Sequence, residues 1–216
     1  MDISGKEVKN KIMQKNFKYI NNPEVIKWCY EGITEVTMGN TGNKKALEKA
    51  NPIEKAWGNK IIGGNGGGQW TTKLCEDLVM EGLIKLGRKN VRKTKPRKST
   101  LRDKKYNPDL ECDDYVYEVK GSNWCVTGTA GEKMLGVPLK YGEVPRLFKK
   151  PLQIILVGYQ EYEAKNGYAF GNLLDGKNQT KELYESLAFY KEHDIEYVAF
   201  TDILKKIGLS HGSWNK

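Results

Sequence analysis

Residues 152–158 narrow the fold more than any other stretch of this chain. They follow Pro151 and read Leu-Gln-Ile-Ile-Leu-Val-Gly. The run lacks the polar alternation of a half-solvated strand and fits a strand buried on both faces. A doubly buried strand needs layers on either side, and the flanking periodicity supplies them. Residues 70–86 form the clearest helix: Leu74, Cys75, Leu78, Val79, Leu83 and Leu86 recur at helical spacing, with Thr71 or Thr72 placed to cap it. Residues 132–150 read as helical or mixed, interrupted by Pro138 and Pro145. Residues 181–193 read as a second amphipathic helix, 195–200 as a further strand and 202–207 as a short closing helix. With a hairpin over 109–120, the order is helix, hairpin, helix, buried strand, helix, strand. That order predicts an α/β fold: a mixed β-sheet with flanking helices. Residues 1–62 read as a mostly helical segment packed on this core, broken at Asn21-Asn22-Pro23 and at 38–43. Residues 63–216 read as the core itself, the two together forming a single compact unit. The glycine-rich stretch 63–68 is no phosphate loop, because Gln69-Trp70 stands where Lys-Ser/Thr is required.

Charge is distributed unevenly. The chain of 216 residues carries a net +9. Between residues 85 and 105 there are eleven basic side chains against the single acid Asp103, a local +10. The remainder is therefore close to neutral, and the segment is an electrostatic footprint for a polyanion. The four cysteines, Cys29, Cys75, Cys112 and Cys125, form no C-x-x-C pair, so a zinc site has little support. The two histidines, His193 and His211, lie near the C-terminus, which argues against histidine-based metal centres. No apolar run approaches the roughly 18–20 residues that span a bilayer. The first residues lack the apolar core of a signal peptide. The expectation is a soluble, cytoplasmic protein without a membrane partner.

The basic segment ends two residues before Pro108-Asp109. A short strand-like run follows, Asp113-Asp114 supplies a turn, and Glu118-Val119-Lys120 lies on the returning run. Alternation puts Glu118 and Lys120 on one face of their strand, and Asp109 and Glu111 on one face of the other. Pairing the strands then gathers Asp109, Glu118 and Lys120 above an apolar underside. Carboxylates with few competing ligands suit Mg²⁺, a hard cation that prefers oxygen. A lysine beside them can hold a phosphate oxygen or an attacking water. Glu76 lies off the apolar stripe of its helix, either leaning toward the hairpin as a further carboxylate or standing as a solvated helix residue.

The helix with Glu76, then Pro108-Asp109, then Glu118-x-Lys120, then helix and strand, resembles the PD-(D/E)xK nuclease superfamily over roughly residues 70–160. Within it, a compact basic chain is most similar to type II restriction endonucleases. The resemblance implies that Asp109 and Glu118 bind Mg²⁺, one or two ions with Mn²⁺ as a substitute, and that the Val119 carbonyl is a further ligand. It implies that Lys120 orients or deprotonates the attacking water, and that Glu76 joins through water or a second metal. The implied activity is sequence-specific cleavage of double-stranded DNA to 5′-phosphate and 3′-hydroxyl ends. A homodimer matched to a twofold site and a cognate DNA methyltransferase as functional partner follow from it. Arg88, Arg92, Lys93, Arg97, Lys98, Arg102 and Lys104 are candidates for DNA contact. So are Ser122, Asn123, Thr127, Thr129 and Lys133 beyond the active-site strand. A structure-specific repair or recombination nuclease, a junction resolvase, and a non-catalytic basic module remain alternatives.

Overall fold

A computed structural model of the chain describes residues 17–37, 43–64, 69–125, 132–166, 172–174 and 178–211, with Glu132 and Lys133 described by backbone alone. Helix α1 (Pro23–Glu31) begins where its sequence directs. The Asn22 side chain accepts from the Glu24 amide at 3.0 Å, and proline fills the first turn, where it needs no donor. Asn43 caps α2 (Lys44–Ile62) in the same way, and Gly63 ends it at φ +75°, a left-handed conformation that glycine adopts without a Cβ penalty.

Helix α3 (Trp70–Lys85) buries the apolar stripe as expected but starts differently. Its N-cap is Gln69, which makes no side-chain capping bond, and Thr71 and Thr72 lie inside the first turn. Burial sets the start instead. Trp70 is enclosed and meets Trp28 and Trp57 edge-on at centroid distances of 5.8 and 6.1 Å. This aromatic packing holds the turn that a capping hydroxyl was expected to hold.

A five-stranded sheet runs in the order β1 (Arg92–Lys93), β4 (Leu110–Glu111), β5 (Val116–Ser122), β6 (Leu152–Gly158), β7 (Ile195–Ala199). The first two junctions are antiparallel and the last two parallel, so the sheet is mixed as expected. Strands β2 (Arg97–Lys98) and β3 (Lys105–Tyr106) pair separately as a small hairpin. Strand β6 lies between β5 and β7, with Leu152, Ile154, Ile155, Leu156 and Val157 all fully enclosed.

Alternation sends side chains to two different layers. Tyr117, Val119, Ile155 and Val157 join Trp28, Leu74, Leu78, Phe200 and Leu204 on one side. Val116, Ile154 and Leu156 join Met134, Val137, Tyr141 and Phe148 on the other. The second layer comes from α4 (Glu132–Tyr141) and α5 (Val144–Phe148). Helix α7 (Lys181–Glu192) covers the β7 end, and α8 (Phe200–Lys206) returns to the first layer.

One helix has no counterpart in the sequence reading. The chain turns at Gly158, φ +63°, into α6 (Tyr159–Asn166). Its polar composition hides it from periodicity, yet it buries Glu161 and Glu163. Burial of Glu161 is tolerable because it accepts from Lys165 Nζ at 2.6 Å and the Thr201 amide at 3.0 Å. Where α3 crosses β5, Gly121 removes the obstacle to contact: a Cβ there would stand 2.2 Å from Cys75 Sγ. The helix bearing Glu76 can therefore lie close against the strand bearing Glu118 and Lys120. Among the described residues, no helix is long and apolar enough to cross a membrane.

Candidate active site

The β4–β5 hairpin pairs Leu110 with Tyr117 and Glu111 with Val116. One step beyond that ladder, Asp109 stands level with Glu118. The loop closes on itself there, because the Val119 amide donates to Asp109 Oδ2 at 2.7 Å. Lys120 points to the same face as Glu118 and donates to its Oε1 at 2.5 Å, with the Val119 carbonyl 3.4 Å away. Glu118 is only 3% exposed, and its Oε2 has no hydrogen-bond partner among the described residues. An unpaired buried carboxylate oxygen is costly unless a cation or donor reaches it.

Its surroundings raise that cost. The parallel neighbours of Glu118 and Lys120 on β6 are Ile154 and Leu156. Tyr141 of α4 borders the same carboxylate. Its hydroxyl pKa is pushed well up, first by burial and then by the charges of Glu118 and Asp109. Asp109 itself is half-buried, and its pKa rises to about 7. Desolvation is the largest cause and repulsion from Glu118 the next. The Val119 amide and Lys120 oppose the rise, and Glu76 adds to it.

Glu76 thus acts electrostatically on Asp109 from α3, and it is ion-paired to Lys93 of β1. The structure therefore brings together Asp109, Glu118, Lys120 and the Val119 backbone, with Glu76 acting on Asp109 through its charge. Two neighbours escape sequence reasoning. The sequence offers Lys93 only as a DNA contact, and the structure pairs it with Glu76 from its place opposite Leu110 on β4. Tyr141 carries no sequence signal, since its meeting with Glu118 depends on how α4 lies on the sheet. Glu111 shares the hairpin face but is engaged elsewhere, paired with Arg92 at 2.8 Å and Lys150 at 3.6 Å.

The donor set is oxygen only: the free Asp109 oxygen, Glu118 Oε2 and the Val119 carbonyl. That chemistry fits a hard cation which keeps several waters and takes one or two carboxylates. Among the described residues, no group of three His, Cys, Asp or Glu side chains is spaced to enclose a metal by itself. In this arrangement the ammonium groups of Lys120 and Lys93 supply the positive charge that the carboxylates require.

The remaining DNA-contact candidates divide by residue type. The four arginines each have internal partners. Arg88 lies 4.7 Å over Tyr115 and 3.7 Å from Asp114, with a buried Nε unpartnered among the described residues. Arg92 grips Glu111 through two nitrogens, at 2.9 and 2.8 Å. Arg97 lies 4.3 Å over Phe148 and donates to the Leu147 carbonyl at 2.6 Å. Arg102 donates to Tyr106 at 2.7 Å and reaches Glu143 at 3.5 Å. The planar guanidinium suits such stacking and forked pairing, so these residues brace the basic segment as well as charging it. Lys98 meets the solvent-exposed Asp103 at 3.3 Å, and Lys104 lies 5.0 Å over Tyr106. Lys89, Lys95 and Lys105 are exposed.

Ser122 ends β5, mostly buried, with its hydroxyl 3.3 Å from the Asn123 carbonyl, and Asn123 donates to Asn51 at 3.2 Å. Lys133 belongs to α4, its side chain undescribed, and Thr127 and Thr129 lie outside the described residues. Compared with known proteins, the chain matches no family model, no curated protein and no solved structure.

Proposed function

We propose that the chain is a Mg²⁺-dependent DNA endonuclease of the PD-(D/E)xK kind, acting on specific duplex sequences in the manner of a type II restriction enzyme. The observation that carries this reading is the constellation on β5. A buried glutamate with an oxygen unpaired among the described residues, an aspartate held level with it, and a lysine on the same face stand at the foot of a +10 segment. A structural hairpin gains nothing from such crowding, because each carboxylate makes its neighbour harder to ionise. A hydrolytic site for an anionic diester gains a great deal.

Glu118 Oε2, the outer oxygen of Asp109 and the Val119 carbonyl would hold the ion. When bound, Mg²⁺ offsets phosphate charge, lowers the pKa of its water and stabilises the leaving 3′ oxygen. This chain's own residues do the positioning. The Val119 amide keeps Asp109 turned toward Glu118. Lys120, on the same face as Glu118, is placed to orient a water against the phosphate or to hold a non-bridging oxygen. Glu76 extends the acidic site from α3, with Lys93 available to a phosphate once its pairing with Glu76 loosens. Exposed lysines of the segment hold the backbone on either side, a contact that positions without specifying. A homodimer suits cleavage of both strands of a twofold site, with a partner methyltransferase protecting the host's own copies.

Incubating purified chain with supercoiled plasmid and Mg²⁺, followed by sequencing of the ends, tests the reading. Discrete fragments with 5′-phosphates are expected, and Glu118→Ala and Lys120→Ala should both abolish them while still retaining DNA on a filter. Nicks confined to branched or damaged DNA would point to a repair nuclease or resolvase of the same kind. Wild-type cleavage by both variants, or none by the parent in Mg²⁺ or Mn²⁺, overturns the site.

A further inference from the structure

Leu101 caps the tip between β2 and β3, is 76% exposed, and belongs to neither apolar cluster. A single exposed leucine is ordinary. The way this one is presented is not. The Ser99 hydroxyl oxygen accepts from the amides of Leu101 and Arg102, both at 3.0 Å, and the Ser99 amide donates to the Lys104 carbonyl at 2.8 Å. Ser99 in turn donates to Glu143 at 2.8 Å. Both chain neighbours of Leu101 are held as well: Arg146 donates to the Thr100 hydroxyl at 2.8 Å, and Arg102 to Tyr106 at 2.7 Å. The tip is thus anchored to the α4–α5 corner, while its one apolar side chain projects into water.

Its surroundings identify the kind of surface it suits. Arg97, Lys98, Arg102, Lys104 and Lys105 flank it along the chain against Asp103, a net +4 over nine residues, and Arg146 balances Glu143 at the corner beneath. An apolar seat for another protein would be ringed by apolar or mixed groups, whereas this ring is cationic and complements a polyanion. Strand β3 runs on through Asn107 and Pro108 into Asp109. Eight residues at roughly 3.3 Å each put the tip within about 26 Å of the active-site carboxylate, the reach of a neighbouring groove on one duplex.

We propose that the β2–β3 hairpin docks on duplex DNA beside the active site and that Leu101 enters a base step as a wedge, unstacking it and bending the helix. The location of the DNA rests on the nuclease reading. The cations hold phosphates on either side of the step, and the leucine covers the base faces that part. The cost of unstacking is recovered by the extra basic surface that bent DNA can touch. Fixing the tip beforehand lessens the ordering that binding would otherwise require. Flexible pyrimidine–purine steps are the favoured points of entry, which adds specificity without a base-edge contact.

Permanganate and diethyl pyrocarbonate, which attack unstacked thymines and purines, test this on a linearised plasmid of known sequence. Full-length protein is bound to it in EDTA and in Ca²⁺, with occupancy matched by filter retention. Discrete hyper-reactive bases are expected with the parent protein. They should fall to the reactivity of free DNA with Leu101→Ala and persist with Leu101→Met. A parent complex without hyper-reactive bases overturns the wedge, as does an unchanged footprint with Leu101→Ala or no retention of DNA at all. A Leu101→Ala chain that turns from dimer to monomer in sedimentation makes the leucine a contact between copies and also overturns it. Mg²⁺-dependent cleavage without the footprint removes the wedge and leaves the nuclease. The footprint without cleavage removes the nuclease and leaves the wedge.

Discussion

Replacing Asp109 by asparagine should make the metal-free protein more stable. Asp109 ionises near pH 4 in an unfolded chain, and its folded pKa is raised to about 7 by burial and by the neighbouring Glu118. A folded pKa above the unfolded one means that the carboxylate opposes folding wherever it must be charged. The penalty is absent below about pH 4, grows between pH 4 and 7, and is complete above pH 7. Roughly three pK units at about 1.4 kcal/mol each set a ceiling near 4 kcal/mol. Water reaches this half-buried group and Lys120 screens it, so about 1–2 kcal/mol is the expected gain. Asparagine keeps an oxygen for the Val119 amide and carries no charge. At pH 8 in EDTA, Asp109→Asn should therefore melt roughly 2–8 °C above the parent, given a chain of this length. At pH 4 the two should melt together. Added Mg²⁺ should narrow the gap at pH 8 by stabilising the parent alone. A variant that melts at or below the parent at pH 8, or a gap that persists unchanged at pH 4, refutes the electrostatic account of this site.

Four further outcomes follow from particular contacts. Lys120→Met should slow plasmid cleavage roughly 10²-fold or more while DNA retention stays near the parent's, since a positioned proton-transfer or orienting group is typically worth that much; equal rates would remove Lys120 from the reaction. Glu54, fully enclosed, accepts from Trp28 Nε1 at 2.7 Å and from the Trp124 and Cys125 amides at 2.9 Å each. Glu54→Ala should cost about 3–5 kcal/mol in urea unfolding, because three buried donors lose their acceptor, and a loss under about 1 kcal/mol would contradict the bonding. Gly121→Ala sets a methyl against Cys75 and should cost about 1–3 kcal/mol, partly recovered by Cys75→Ala in the same chain; strictly additive losses would show that the two do not meet. Lys95→Ala and Lys105→Ala should each flatten the dependence of log affinity on log salt by about 0.9 for every phosphate left without its cation, and unchanged slopes would place the DNA elsewhere.

The parts of this architecture legible beforehand are those with a local cause. A strand's alternation is a property of its own backbone, so Glu118 and Lys120 had to share a face, and the turn at Asp113-Asp114 brought Asp109 level with them. The apolar run of β6 likewise announced a strand covered on both sides. The start of α3 departs from its local signal because a tryptophan cluster spanning three helices, not a capping hydroxyl, holds its first turn. Helix α6 escapes because its buried face carries carboxylates, and Glu161 is satisfied in part by Thr201, 40 positions away. The basic segment is legible as charge, but its folding into β1 and a braced hairpin is not. Arginines stacked on Tyr115 and Phe148 follow from contacts that no local pattern encodes.

The sequence by itself therefore determined which side chains could serve one chemistry: two carboxylates and an ammonium at fixed parity, with a cationic stretch leading into them. Period and charge are read along the chain, and they need no distant partner. Only the tertiary structure decided how strained that chemistry is. Close passage of α3 over Gly121 lets the charge of Glu76 act on Asp109, α4 encloses Glu118 beside Tyr141, and β1 delivers Lys93 to Glu76. Burial and the sum of charges from separate elements set the free energy of each carboxylate, and those quantities exist only once the chain has folded.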